Sequence, residues 1–209
     1  LAAEYRVPYL AHAALEPMNA VASVTADGAE LWAGNQAPDV LQGLAARLLE
    51  IAPEKVRVHS TWIGGAFGRR TYMDFALEAV ALSRALGAPV KVIWSREDDT
   101  RHDHYRPAAM AAMRADFGAD GKLLGWDARI VAPSVMTTMV DVMLPVMLPQ
   151  WAPLGVGTVV KPLAAKYDPM LTEGVDSIPY AMPYLRVEGL VADHGIPVGV
   201  WRSVGHSQN

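Results

Sequence analysis

Lys55-Val-Arg-Val-His-Ser60 leads into Trp62-Ile63-Gly64-Gly65-Ala66-Phe67-Gly68-Arg69-Arg70, and a helix-forming stretch from about Met73 to Leu86 leads out of it. The first segment reads as a strand. Three glycines within five residues let a backbone approach a partner closely, because no Cβ intervenes and positive φ is free. Arg69 and Arg70 follow, always charged and fork-shaped for oxyanions. The start of the next helix adds unpaired N–H groups and a positive dipole end. Together these features predict an anion cradle. The same residues also fit a plainer glycine-rich turn with two solvated arginines. The spacing matches neither G-x-x-x-x-G-K-[ST] nor G-x-G-x-x-G, so neither common nucleotide pattern is met.

On the N-terminal side, Pro38-Asp39 opens a helix with Leu41, Leu44, Leu48 and Ile51 at three- and four-residue spacing, and Pro53 ends it. Before that, residues 5–33 read as β structure. Val21–Thr25 alternates, Asp27-Gly28 turns, and Glu30–Ala33 pairs back. On the C-terminal side, Phe75, Ala79, Leu82 and Leu86 mark the apolar face of the second helix, with Gly87 as its stop. Pro89–Trp94 reads as a strand covered on both faces. Two strand–helix–strand passes predict a mixed α/β fold in which helices cover the sheets. Ser95–His104 is a charged excursion. Met110–Phe117 and Leu123–Val131 form a hairpin around Asp120-Gly121. Residues 133–183 read as mostly irregular, with a helical piece near Val135–Leu144, and Tyr184–Val191 is a last strand. The whole of 1–209 is expected to serve one binding domain, with a possible subdivision into 1–130 and 131–209.

Composition narrows the function. Of the 209 residues, 52% are hydrophobic and 19% charged, which supplies a sizeable core and argues against disorder. A net charge of −4 and a pI near 5.8 argue against general nucleic-acid binding. Without cysteine, this chain holds no disulfide, thiolate nucleophile or Fe–S ligand. The apolar Val131–Leu148 stretch is broken by Pro133, Asp141 and Pro145, so no membrane span is predicted. The chain begins at Leu1 and ends within the polar Arg202–Asn209, so it is expected to be part of a longer protein.

Several residues outside the glycine motif invite chemistry. Gln36, in Trp32-Ala-Gly-Asn-Gln36-Ala-Pro38, is either an amide donor to a held oxygen or an ordinary loop residue. His12 and Glu16 are four apart and could share a helical turn, as a structural pair or otherwise. His102-Asp103-His104 resembles a short metal cluster but lacks a third ligand at diagnostic spacing. Arg106 is an anion contact or a salt-bridge partner. Trp201-Arg202-Ser203-Val204-Gly205 sets another arginine among small residues in a turn. One bulky anionic ligand would explain all three donor-bearing loops.

His12-x-x-x-Glu16-Pro17, Gly64–Arg70, Ser95-Arg96-Glu97-Asp98 and Trp201–Asn209 together resemble the large subunit of the xanthine oxidase family of molybdenum hydroxylases. The resemblance covers nearly the whole chain and is closest to the isoquinoline 1-oxidoreductase β-subunit and the molybdopterin-binding subunit of membrane-associated aldehyde dehydrogenases. It implies a molybdenum-pyranopterin cofactor, as the cytosine dinucleotide. It also implies a [2Fe–2S] small subunit, a possible cytochrome c subunit, and an aldehyde or N-heterocycle hydroxylated with oxygen from water. It implies a bacterial periplasmic or membrane-associated setting, with the cytoplasm left open. Gln36 and the Phe67 N–H would face the apical oxo group of the metal. Gly64, Gly65, Ala66 and Gly68 would admit the cofactor, and Arg202 would contact it. Cofactor-binding roles for Arg69 and Arg70 follow from charge alone. Where the family carries Gly-Gly-Lys-Glu, this chain has Gly68-Arg69-Arg70-Thr71, so Thr71 takes the place of a substrate-facing glutamate. That favours the isoquinoline branch and argues against purines. Val204 falls where relatives place a substrate-stacking aromatic. The general-base glutamate is expected outside this chain, since Glu16, Glu78 and Glu173 lie in no matching motif.

Overall fold

A computed structural model describes residues 1–207 except Leu154, so Gln208 and Asn209 of the terminal motif lie outside the described residues. The elements run β1 (Ala2–Val7), β2 (Asn19–Val24), β3 (Ala29–Ala33), α1 (Pro38–Leu49), β4 (Val56–Ser60), α2 (Asp74–Leu86), β5 (Val90–Ile93) and α3 (Arg96–Arg101). They continue with β6 (Ala109–Phe117), β7 (Leu123–Ala132), α4 (Met136–Met147), α5 (Val156–Lys166) and β8 (Tyr184–Val191). No helix among the described residues is long and apolar enough to cross a membrane.

One sheet has the order β4-β3-β2-β5. β2 and β3 form the expected hairpin around Asp27-Gly28, β4 pairs parallel to β3, and β5 pairs antiparallel to β2. Strands β3, β4 and β5 therefore run the same way, joined by crossovers through α1 and α2 as the two-pass reading requires. Pro38 stands in the first turn of α1, and Gly87 ends α2 in the left-handed conformation. Leu41, Ala45 and Ala46 of α1 and Phe75, Ala76, Ala79 and Val80 of α2 bury against Ala20, Ala22 and Leu31 of the sheet. Full burial of a Leu or Phe side chain stabilises by about 1.5–3 kcal/mol.

The buried face of α2 is rotated from the expected one. Leu82 and Leu86 are exposed, while Ser83 is buried. Ser83 Oγ accepts the Val24 N–H at 2.9 Å and donates to the Ala88 carbonyl at 2.8 Å, so a polar residue closes this end of the core. β5 is an edge strand rather than a doubly covered one, because Lys91 and Ile93 face outward.

The other sheet has the order β1-β6-β7-β8, with β6–β7 as the expected hairpin and β8 parallel to β7. Its pairing runs across position 130/131. Its buried set is small: Ala111, Ala128 and Ile130 with Val175, and Ala109 and Ala132 with Leu171.

Three segments differ from the sequence reading. Residues 11–18 form no helix, since His12 turns inward and Glu16 turns toward Gly64. The charged excursion contains α3, started by a capping box between Ser95 and Asp98. Residues 133–183 are more helical than expected, because α4 continues through Pro145 and α5 through Pro162. Arg47 of α1 secures the end of α4 by donating to the carbonyls of Pro145 and Ala152 at 3.1 and 2.5 Å.

Candidate functional site

The turn between β4 and α2 is an exposed loop fixed from beneath. Trp62 is fully exposed and Phe67 is 38% exposed. Gly65 and Gly68 have φ of +105° and Phe67 has φ of +57°, so the chain passes through the left-handed region three times in four residues. Gly64 N–H donates to Glu16 Oε2 at 2.8 Å, and Gly68 N–H donates to Gln36 Oε1 at 3.1 Å. Among the described residues, the N–H groups of Gly65, Ala66 and Phe67 make no hydrogen bond.

Arg69 and Arg70 do not form the anion cradle, nor are they solvated. Both side chains have 0% exposure. Arg69 makes a two-pronged pair with Asp74 at 2.9 and 2.8 Å, and its Nε lies 3.0 Å from Asp103 Oδ1. Arg70 donates to the carbonyls of Gly65, Gly34 and Glu16 at 3.0, 3.1 and 3.2 Å and to Glu16 Oε2 at 2.9 Å. The physical reason is the cost of burying an unpaired charge, which draws each guanidinium to carboxylates and carbonyls. Arg70 thereby holds three backbone segments in register beneath the loop.

The glycines serve different neighbours. A Cβ on Gly68 would stand 2.0 Å from the Val200 carbonyl oxygen, and one on Gly64 would stand 2.6 Å from Glu16 Cβ. Both positions therefore admit this chain's own atoms. At Gly65 the demand is the positive φ, with the Phe67 ring 3.1 Å from the missing Cβ.

Gln36 is exposed, and its backbone N–H donates to the Arg70 carbonyl at 3.0 Å. Since Gly68 supplies a donor, the Gln36 oxygen must face it, and the amide NH₂ points the other way. Thr71 ends the 3-10 turn Arg69–Thr71, half-buried beside this group. The terminal motif comes to the same place. Arg202 N–H donates to the Phe67 carbonyl at 2.7 Å, and its guanidinium lies 4.5 Å from the Phe67 ring centroid. Val204 begins the last 3-10 turn with φ of +57°. The structure thus gathers Gln36, the Gly65–Phe67 amides, Thr71 and the Arg202 segment, and withdraws the two motif arginines.

The His102-Asp103-His104 cluster disperses. His102 meets the edge of Trp94 at 6.0 Å, and His104 stacks on Tyr72 at 4.1 Å. Asp103 turns inward to His12, with Nδ1 to Oδ1 at 2.9 Å. No group of potential metal ligands forms among the described residues. Burial alone would raise the Asp103 carboxyl, but the hydrogen bonds and charge of His12, with Arg69 behind, hold it below the usual range. Glu16 is held low in the same way. Burial works against ionisation, and the Gly64 N–H, Asn19 and Arg70 outweigh it. Among the described residues Arg106 pairs with no carboxylate. It donates to the Pro8 carbonyl at 2.9 Å and lies 5.0 Å from the Trp201 ring centroid.

His12, Asp103 and Tyr72 are the positions that sequence reasoning undervalued. The His12-x-x-x-Glu16 spacing is the one available signal, and it concerns two separate contacts rather than a pair. Among the glutamates, Glu78 accepts from Trp94 Nε1 at 2.8 Å and Glu173 from Gly205 N–H at 2.6 Å. Two concavities lie elsewhere: one of about 390 Å³ beside Gly28 and Lys55, and one of about 500 Å³ across β1, β6 and β7.

The model of the molybdopterin cofactor-binding domain matches residues 1–148. The chain is 36% identical over 197 residues to the isoquinoline 1-oxidoreductase subunit beta of Brevundimonas diminuta, covering 94% of this chain and 23% of that protein. It is 33% identical over 147 residues to a membrane-bound aldehyde dehydrogenase (pyrroloquinoline-quinone) of Gluconacetobacter polyoxogenes, covering 66% of this chain and 19% of that protein. The aldehyde oxidoreductase from Desulfovibrio gigas superposes with a TM-score of 0.71 over 98% of this chain and 20% of its own, at 18% identity. That last likeness is one of fold. The chain spans about a fifth of the length of the proteins it matches.

Proposed function

The chain belongs to the molybdopterin cofactor-binding domain family, and we propose that it forms one wall of the cofactor and substrate site of a molybdenum hydroxylase. The observation that carries this reading is Gln36. Gly68 N–H fixes its amide oxygen, which aims the NH₂ outward beside three unengaged amides. That donor set fits an oxygen-bearing group. The fit does not extend to Arg69 and Arg70, so an anion-binding module built on the arginine pair finds no support in the geometry.

In this reading Gln36, Gly65, Ala66 and Phe67 bind the oxygen-rich face of a molybdenum-pyranopterin, as the cytosine dinucleotide, and Arg202 contacts it from the terminal segment. Thr71 and Val204 border the substrate, an aldehyde or N-heterocycle. The chemistry supplied by the bound cofactor is two-electron oxidation of a substrate carbon with oxygen from water. Glu16 and Glu78 are engaged within the fold, so we assign the general base to the remainder of the parent protein. Electrons pass to a [2Fe–2S] subunit. The 209-residue chain alone does not turn over substrate.

The test is the full-length parent, purified after cofactor maturation. It is expected to contain molybdenum and pterin. Gln36→Ala is expected to slow turnover by about 10²–10³, as for one oxyanion-hole donor, while molybdenum content falls far less. A matured, well-folded parent without molybdenum overturns the reading, and equal losses of rate and metal would make Gln36 structural.

A further inference from the structure

The segment that carries Arg202 is held in an unusual way. At Val200 both backbone groups are bound by side chains of distant elements. The Val200 N–H donates to Tyr72 Oη at 3.0 Å, and His12 Nε2 meets the Val200 carbonyl at 2.9 Å. Tyr72 and His12 are buried, at 1% and 5% exposure. The missing side chain of Gly68 makes room for that same carbonyl. We infer that His12 and Tyr72 are positioning residues, which clamp the Val200 peptide and thereby set Arg202 against the glycine loop. This rests on the cofactor-wall reading for its purpose, but not for its geometry.

Backbone strain shows why a clamp is needed. Arg202 and Val204 have φ of +44° and +57°, and Phe67, facing Arg202, has +57°. Such conformations are costly for non-glycine residues and persist only where surrounding contacts over-determine them. Here the fixed points are the Val200 peptide and the 2.7 Å hydrogen bond from Arg202 N–H to Phe67. Between them the Trp201 ring rests near His12, at 5.9 Å, and under the Arg106 guanidinium.

The orientation of His12 is itself fixed. Its Nδ1 and backbone N–H both meet Asp103, Asp103 lies against Arg69 Nε, and Arg69 is braced by Asp74. A carboxylate on one ring nitrogen sets which way the other faces. The buried arginine of the glycine motif therefore acts on the site at a distance, through Asp103 and His12, by aiming Nε2 at Val200.

The experiment uses the full-length parent with three variants. The amide nitrogen of Gln reaches the place of Nε2, whereas that of Asn reaches the place of Nδ1. His12→Gln keeps the Val200 contact, His12→Asn keeps the Asp103 contact, and Tyr72→Phe removes one hydroxyl. Amide hydrogen exchange over 198–204 and the rate of molybdenum release are the readouts. His12→Asn and Tyr72→Phe are expected to speed both by about fivefold, the size of one lost hydrogen bond, and His12→Gln by less, since it keeps the Val200 contact but loses the ring's link to Asp103, with exchange in α2 and β3 unchanged. Exchange that rises equally throughout the core, or Asn performing as well as Gln, or no change in 198–204, overturns the clamp. A wild-type parent without molybdenum overturns the cofactor reading alone, since the exchange measurement stands without metal.

Discussion

The two sheets carry charge in opposite ways. Beside β4-β3-β2-β5, Arg69 and Arg70 are wholly buried, and their partners link the N-terminal segment, the loop after β3 and the glycine motif. Across β7 and β8, Arg129 meets Glu188 at 2.9 Å and Arg186 meets Asp127 at 3.6 Å, with side chains a third to a half exposed. Both arrangements are carboxylate–guanidinium pairs. The first stands over a core of eighteen buried residues among those described and fixes loop geometry. The second stands on a sheet with few buried positions and can reorganise in water. Burial therefore decides which arginines shape the site.

Removing one arginine from each set gives the largest expected contrast. Arg69→Met leaves Asp103, 1% exposed, without its guanidinium, and breaking such a buried pair costs about 3–5 kcal/mol. Arg129→Met removes a half-exposed partner and costs under about 1 kcal/mol. Urea unfolding of the 209-residue chain measures both. Similar losses would mean that burial is not what separates the two sets.

Much of the first sheet is legible in the sequence because local rules agree there. The turn at Asp27-Gly28, the proline at the start of α1, Gly87 after α2 and the period of α1 all point to the structure that forms. α5 is hidden because Pro162 contradicts helix propensity while tertiary contacts override it. In the site, Gln36, Phe67 and Arg202 come together as their motifs suggest. The direction of Arg69 and Arg70 is not legible, since the sequence shows two charges beside glycines and cannot show carboxylates from residues 16, 74 and 103 arriving underneath. For the same reason Asp103 reads only as the middle of a short His-Asp-His run, when its partner is His12, 91 positions away.

A pair of glycines sharpens the contrast at a smaller scale. Gly68 and Gly121 both have positive φ, at +105° and +77°. A Cβ on Gly121 meets nothing within 4 Å, whereas one on Gly68 meets Val200 O. Gly121→Ala should therefore cost only the left-handed backbone penalty, about 1–2 kcal/mol. Gly68→Ala adds overpacking of about 1–3 kcal/mol and should displace the Arg202 segment. Thermal unfolding of the two variants compares the totals, and exchange at 198–204 reports the displacement. Equal effects would show that Gly68 answers to φ alone and that the Val200 contact can relax.

The smallest expected effect is a difference in acid response. His104 stacks on Tyr72, and its Nδ1 is buried without a hydrogen-bond partner among the described residues. Burial first, and then the charge of Arg69, hold its pKa below the ordinary 6.5, while Asp74 and Asp103 pull the other way. The unfolded chain therefore takes up a proton near 6.5 while the folded chain still resists it. Between the folded value and 6.5 the unfolded state binds more protons, so stability must fall as pH falls through that window. Further down, the depressed carboxyls of Asp103 and Glu16 act with the same sign. Their contribution is present above the unfolded carboxylate values and is lost as pH falls through the folded ones. On the other sheet Glu188 is also held low by Arg186 and Arg129, but on a solvent-facing sheet surface with a third of its side chain exposed, where screening leaves little linkage to folding. Acid should therefore loosen α2 and β3 before β6 and β7. The check is hydrogen exchange of the four elements as pH is lowered from 7, for the wild-type chain and for His104→Gln, which cannot take up the proton. The variant should lose the part of the slope just below 6.5 and keep the carboxylate part. An unchanged slope there would remove His104 from the account, and simultaneous loosening of all four elements would show that the two sheets unfold as one unit despite their different treatment of charge.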